Sequence, residues 1–169
     1  QPTTIEIPNS VVKIGFESFS NCIKLTTIKI PSKVNSIELM SFSGCISLFS
    51  IEIDCEISTI HLGTFENCYS LSSIVIPSKV VLIDSYSFEE CRNLTSIEIH
   101  SNLESIKRCA FYHCINLISI KLPESITKIE NNAFCYCYSL QSIEIPEKVT
   151  SIGKEAFFEC TNLTTAIMK

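Results

Sequence analysis

The 169-residue chain has no tryptophan and only four glycines, and its 13 basic residues are outnumbered by 18 acidic ones. No Gly-rich phosphate loop occurs in it. A net charge of −5 and a pI of about 5.2 offer no basic face to a nucleic-acid backbone. No apolar run approaches the roughly 20 residues that cross a bilayer, so no membrane insertion is expected of this segment. A charged-then-apolar leader is missing as well. Both of these absences describe this segment alone, because its ends read as cuts. The chain enters mid-unit at Ile5-Glu-Ile7-Pro8 and leaves on a degraded strand, Ala166-Ile-Met168, without a polar capping repeat. Solenoids need caps for solubility. The expectation is therefore one array, residues 1–169, cut from a longer chain, whose exposed terminal strands invite self-association.

What is present is a repeat of 23 residues, in about seven copies without insertion or deletion. Phenylalanine recurs at Phe19, Phe42, Phe65, Phe88, Phe111, Phe134 and Phe157. Three residues on stands a cysteine: Cys22, Cys45, Cys68, Cys91, Cys114, Cys137 and Cys160. Three further comes a leucine: Leu25, Leu48, Leu71, Leu94, Leu117, Leu140 and Leu163. A fixed period of this size is the mark of a solenoid. A lone unit cannot bury its apolar face, so each turn must lean on the next.

Within the unit, Leu25-x-x-Ile28-x-Ile30 alternates like a strand, and the pattern returns as Ile51/Ile53, Ile74/Ile76, Ile97/Ile99, Ile120/Leu122 and Ile143/Ile145. Strands this far apart cannot form hairpins; they stack as a parallel sheet with right-handed crossovers. Proline stops the strand at Pro8, Pro31, Pro77, Pro123 and Pro146. Asp54 and His100 replace it, so those two strands are expected to run a residue longer. A second apolar pair, such as Val34 and Ile37, predicts a short second strand or extended edge. A small residue precedes each phenylalanine (Ser18, Ser41, Thr64, Ser87, Ala110, Ala133, Ala156), and the Phe-x-x-Cys-x-x-Leu spacing suits one turn of 3₁₀ or tight α-helix, too short for a regular helix. The fold class expected is a β-rich, right-handed solenoid with one long parallel sheet, short second strands and 3₁₀ turns.

Ten cysteines in a small secreted domain would suggest disulfides. Seven of them, however, share one phase between two inward columns, which predicts a ladder of buried free thiols. Adjacent turns would bring their Cα atoms within bridging distance, but parallel side chains at one phase fit the disulfide torsion poorly. Cys55, Cys109 and Cys135 stand in three other columns, without regular partners.

Chemistry is hard to assemble from the remainder. His61, His100 and His113 lie at three different phases, so they point in different directions. Asp54 and His100 share a phase but sit two turns apart, roughly 10 Å, too far for a charge-oriented histidine. Cys135-Tyr-Cys137 is the only close cysteine pair, and one member belongs to the ladder, which argues against zinc. No catalytic residues, cofactor or metal are expected, and a hydrolase lacks any clustered acid, base or nucleophile.

The surface expected to work is the outward side of the strands. One row is hydroxyl in every turn: Thr27, Ser50, Ser73, Ser96, Ser119, Ser142 and Thr165. This row reads equally as plain solubility. The next row, Lys29, Glu52, Val75, Glu98, Lys121 and Glu144, varies while its neighbours hold constant, which is how solenoids tune partners. Phe49 and Ile118 stand at its border. Two sequons, Asn93-Leu-Thr95 and Asn162-Leu-Thr164, are candidate N-glycosylation sites or by-products of the repeat wording.

The unit Ile145-Pro146-Glu-Lys-Val149-Thr-Ser-Ile152-Gly153-Lys-Glu-Ala156-Phe157-Phe-Glu-Cys160-Thr-Asn-Leu163 closely resembles the BspA-like class of leucine-rich repeat. The resemblance covers essentially the whole chain. The glycine after the second isoleucine stands only at Gly15 and Gly153, the other turns having Glu38, His61, Asp84, Lys107 and Glu130. The resemblance implies a curved solenoid with the Leu-x-x-Ile-x-Ile strands on the concave side. It also implies a surface-exposed role in adhesion, as in cell-surface proteins of mucosal bacteria and protozoan parasites. A non-enzymatic module binding host or matrix proteins is the reading this favours. An intracellular scaffold is the alternative, since unpaired cysteines suit a reducing, cytoplasmic compartment.

Overall fold

The computed structural model describes residues 3–100 and 102–168. In chain order the strands are β1 (Thr3–Glu6), β2 (Lys13–Ile14), β3 (Leu25–Ile30), β4 (Ser36–Ile37), β5 (Ser50–Ile53), β6 (Thr59–Ile60), β7 (Ser73–Ile76), β8 (Leu82–Ile83), β9 (Ser96–Ile99), β10 (Ser105–Ile106), β11 (Ser119–Ile120), β12 (Lys128–Ile129), β13 (Ser142–Ile145), β14 (Ser151–Ile152) and β15 (Thr165–Met168). Odd-numbered strands stack as β1-β3-β5 and β7-β9-β11-β13-β15. Even-numbered strands stack as β2-β4 and β6-β8-β10-β12-β14. Every pairing described is parallel, and apart from a shift at Thr3, which faces Leu25, each keeps the repeat's register: Ile28 faces Ile51, Ile74 faces Ile97, and Ile120 faces Ile143. A one-residue slip would turn these inward isoleucines to solvent.

The expected second strands form, two residues each, ending on the isoleucine of their pair, which is buried from Ile14 to Ile129 and exposed only at Ile152 in β14. Proline stops the first strand as expected and opens a tight turn. The N–H of Val34 donates to Pro31 O at 3.0 Å, and that of Val80 to Pro77 O at 3.1 Å. The strands before Asp54 and His100 do not run longer, contrary to expectation; they end at Ile53 and Ile99, in phase with Ile76 and Ile145. At Asp54 the freed N–H does bond Ile30 O at 3.1 Å, but the next residue, Cys55, turns into the core and ends the extended run. Both stacks are interrupted at this repeat, between β5 and β7 and between β4 and β6. The Phe42–Phe65 ring spacing widens there to 5.7 Å, against 5.2 Å for Phe19–Phe42. The N–H of Ser72 still bonds Phe49 O at 3.2 Å across the gap.

The Phe-x-x-Cys-x-x-Leu segment is a chain of tight turns. In the second repeat Ser43 N–H bonds Met40 O, Cys45 N–H bonds Phe42 O and Leu48 N–H bonds Cys45 O, all at spacing three. Two left-handed residues, two before and two after the phenylalanine, keep it from continuing as a helix: Met40 (φ 53) and Gly44 (φ 72), then Tyr86 (φ 59) and Glu90 (φ 60), and so on in every repeat. The alternation aims every second N–H at the next repeat. Tyr86 donates to Arg108 O, Phe88 to Ala110 O and Glu90 to Tyr112 O, at 2.8–3.1 Å. This segment is thus a third hydrogen-bonded wall of the solenoid.

The interior is one column per residue type. Phe42, Phe65, Phe88, Phe111 and Phe134 are fully buried and stack ring on ring. All ten cysteines are free thiols. Each ladder thiol from Cys45 onward donates to a phenylalanine carbonyl of the preceding turn, as Cys91 Sγ does to Phe65 O at 3.2 Å. That carbonyl also accepts the N–H of Cys68, so the cysteine column ties successive turns together at one oxygen. Beside it, the hydroxyls of Ser41 and Ser87 are buried without a protein partner, where later repeats have Ala110, Ala133 and Ala156.

Two stability changes follow. Phe88→Ala opens a cavity between two stacked rings and is expected to cost about 3–5 kcal/mol in urea unfolding. Ser87→Ala removes an unsatisfied buried hydroxyl and is expected to raise the same midpoint, by about 1 kcal/mol in stability.

Candidate functional site

Alternation along the long strands sends Thr27 and Lys29 outward, alternating with the buried Ile28 and Ile30, and the same holds turn by turn. Two shallow grooves lie on this face. The first, about 630 Å³, is lined by Thr4, Glu6, Thr27, Lys29, Ser50 and Glu52 among others. The second, about 740 Å³, is lined by Ser73, Val75, Ser96, Glu98, His100 and Lys121 with the backbone between them. Ser119, Ser142 and Glu144 continue the two rows as exposed residues outside either lining. Phe49 and Ile118, 58% and 46% exposed, stand beside them as apolar spots.

Charges on this face pair along the strands. Lys29 Nζ lies 2.6 Å from Glu52 and 2.7 Å from Asp54. Hydrogen bonds to Asp54 and then Glu52 push the Lys29 ammonium up to about 12, and the same Lys29 contact pulls the Asp54 carboxyl down. In the second groove, His100 Nε2 sits 2.6 Å from Glu98 Oε1. His100 therefore pairs with a carboxylate of its own turn, and the Asp54 of its phase pairs with Lys29. The sequon residues Asn93 and Asn162 are exposed at the edge that follows the cysteine column. Their threonines are engaged: Thr95 Oγ1 donates to Ser72 O at 3.1 Å and Thr164 Oγ1 to Gln141 O at 3.3 Å.

A second surface, missed in the sequence, runs along the turn wall. All five tyrosines of the chain, Tyr69, Tyr86, Tyr112, Tyr136 and Tyr138, lie between two residues before the phenylalanine and one after the cysteine of their repeat. Tyr136 meets Tyr112 edge-on at 5.5 Å, His113 at 4.7 Å and Phe158 at 5.6 Å, and touches Tyr138 at 5.9 Å. The Arg92 guanidinium lies 5.0 Å over the Tyr69 ring while its Nε reaches Glu90 at 2.6 Å. The other oxygen of Glu90 bonds His113 Nδ1 at 2.7 Å. These residues occupy several phases, so reading single columns scatters them. The signal available was that every tyrosine falls within the same third of the repeat.

The thiols offer no nucleophile in the ladder's middle: burial pushes Cys68, Cys91 and Cys114 well above the ordinary thiol range. Among the described residues no group of three His, Cys, Asp or Glu could hold a metal ion, and no helix is long and apolar enough to cross a membrane.

Glu89 is the perturbed acid of the turn wall. Burial first, then the charges of Glu66 and Glu90, push its carboxyl up to about 7, against the opposing pull of His113. A carboxyl raised in the fold binds its proton more tightly there than in the unfolded chain. Its contribution to stability therefore falls as pH rises from the ordinary carboxylate range through about 7, and the loss is complete above that. Glu89→Gln is expected to be neutral near pH 4.5 and stabilising at pH 8. The gain is about 1 kcal/mol, reduced from the full linkage value because solvent screens the half-exposed group. Thermal unfolding of the two proteins across that range reads the difference.

The profile of the BspA type leucine rich repeat region matches the chain in six copies, over residues 1–91 and 58–169. Among solved structures, a leucine rich cell surface protein from Faecalibacterium prausnitzii is 27% identical, with a TM-score of 0.67, over 98% of this chain and 59% of its own. The T. pallidum leucine rich repeat protein is 24% identical with a TM-score of 0.68, over 97% of this chain and 68% of its own. A leucine-rich repeat protein from Bacteroides ovatus matches at 24% identity and a TM-score of 0.57, over 99% of this chain and 63% of its own. The chain thus spans about 59% of the length of the F. prausnitzii protein. No curated protein matches it. By its repeat, its parallel stack and these matches, the chain belongs to the BspA-type leucine-rich repeat proteins.

Proposed function

We propose that this array is a non-enzymatic protein-recognition module of a cell-surface adhesin, binding host or matrix proteins through its strand face. The observation that carries the reading is the face itself. Side chains at Lys29, Glu52, Val75, Glu98 and Lys121 change from turn to turn over a backbone of constant register, and they line two grooves. A partner laid along the strands would meet charge of both signs, hydroxyl groups and one exposed valine. The surface location draws on the F. prausnitzii protein, described as a cell surface protein. Exposed sequons at Asn93 and Asn162 are compatible with a eukaryotic secretory route, with glycans at the edge of the strand face.

A second reading, an intracellular scaffold on the same solenoid, is favoured by one observation: ten cysteines, all free, suit a reducing compartment. A leader peptide or anchor in the full gene supports the adhesin; its absence supports the scaffold.

The binding face is tested with Glu52→Gln, Glu98→Gln and Lys121→Gln combined, assayed against immobilised extracellular-matrix proteins. Loss of binding by roughly tenfold or more is expected. Unaltered binding of a partner that the parent protein holds would overturn the assignment of the strand face.

A further inference from the structure

The turn wall carries a surface that the strand-face reading does not use. In its first three repeats the position two after the phenylalanine is Asn21, Gly44 and Asn67, residues that tolerate a left-handed backbone. In the next three it is Glu90, His113 and Tyr136, at φ 60, 59 and 61. Histidine is tolerated there as well, but glutamate and tyrosine relieve no strain, so the turn geometry does not explain those two. They are instead the side chains that join the aromatic ridge. His113 bridges Glu90 and the Tyr136 ring, and Tyr136 collects Tyr112, Tyr138 and Phe158. Tyr138 and Phe158 are 38% and 46% exposed, a large aromatic area to leave in water.

The ridge is flanked by carboxyl groups, of which Glu90 is paired and Glu89 is not. Glu89 stands one turn before Tyr112 in the same column, with Glu66 one turn earlier. Among the described residues Glu89 has no ion pair, whereas Glu90 is already shared between Arg92 and His113. Tyrosine faces beside a carboxyl group without a cation of its own are the chemistry that receives a guanidinium, by cation–π contact and charge-assisted hydrogen bonding together. The arriving charge favours the ionised form that burial and Glu66 disfavour in Glu89. The chain makes such contacts with its own residues: Arg92 lies over Tyr69 and bonds Glu90, and Arg108 lies 5.9 Å over the Tyr86 ring.

We infer that the ridge formed by Tyr112, His113, Tyr136, Tyr138 and Phe158, with Glu89 at its edge, docks an arginine-bearing segment of a partner protein. Guanidinium groups of that segment lie over the tyrosine faces, and one pairs with Glu89. Arginine is preferred to lysine because its planar, weakly hydrated head stacks on a ring while donating sideways.

The probes are fluorescein-labelled hexa-arginine, hexa-lysine and hexa-glutamate, titrated with the protein by anisotropy at physiological ionic strength. Hexa-arginine is expected to bind most tightly and hexa-glutamate not at all. Tyr136→Asn with Tyr138→Ser should weaken hexa-arginine binding roughly tenfold. This pair leaves the net charge unchanged and places asparagine where the backbone is left-handed, so the fold is kept; circular dichroism checks it. Phe158→Ser, at an exposed position, supplies the same readout if the double variant unfolds. Glu89→Gln should weaken binding severalfold. The combined strand-face variant should bind hexa-arginine like the parent, so failure of the ridge and failure of the strand-face assignment are separable. Absent binding, equal binding of hexa-lysine, or equal binding by the ridge variants would each overturn the inference; the last would reduce it to diffuse attraction by net charge.

Discussion

The solenoid depends on peptide groups of one turn finding their partners in the next. At the strand faces this is ordinary parallel pairing. At the phenylalanine turn it is less usual: left-handed residues such as Tyr86 and Glu90 rotate alternate N–H groups toward Arg108 O and Tyr112 O. Left-handed geometry costs a non-glycine residue about 1–2 kcal/mol, and the described chain carries it at twelve such residues. The return is that a buried turn leaves its alternate N–H groups satisfied, which an isolated turn could not do. Each repeat is therefore competent only beside another, and cooperativity runs along the axis.

The phenylalanine and cysteine columns work with that wall. Each ring covers the next at just over 5 Å, and each thiol donates to the carbonyl that its neighbour's backbone also uses. A serine there would bring a more polar hydroxyl into a dry column, and a larger residue would part the rings. Cysteine is small, apolar enough and still a donor. Where the column pattern is disturbed, at Asp54 and Cys55, both sheets are interrupted, yet the ring stack and the Ser72–Phe49 bond carry the array across. Three walls make the stack tolerant of a fault in two.

With the interior committed to stacking, the outward positions are free to differ. On the strand face the variation is in charge, at Lys29, Glu52, Glu98 and Lys121; Asp54 neutralises part of it at Lys29, and His100 lies within hydrogen-bond distance of Glu98. On the turn wall the variation is aromatic, and it gathers toward the later repeats. The two surfaces differ in chemistry: one is polar and grooved, the other aromatic and edged with carboxylates. Both kinds of surface are built without altering the core.

A strict period makes the interior legible from the sequence alone. Phe88, Cys91, Leu94 and Ile97 recur at one phase each, and any column that is apolar in every turn must face inward, whatever the backbone does between. Proline marked the strand ends for the same reason, by lacking a donor at a fixed place. Three things waited for the tertiary structure. Left-handed conformations at Met40 or Glu90 carry no compositional sign, because the hydrogen bonds that enforce them come from the next turn. Cys55 turned inward at a phase that is exposed elsewhere, because its local path depends on the missing proline turn. The tyrosine ridge joins residues of different phases, and only the curl of the turn sets their rings within contact. Periodicity determines what each turn shares; the folded backbone decides how the unshared side chains meet, since that depends on distances across turns and not along the chain.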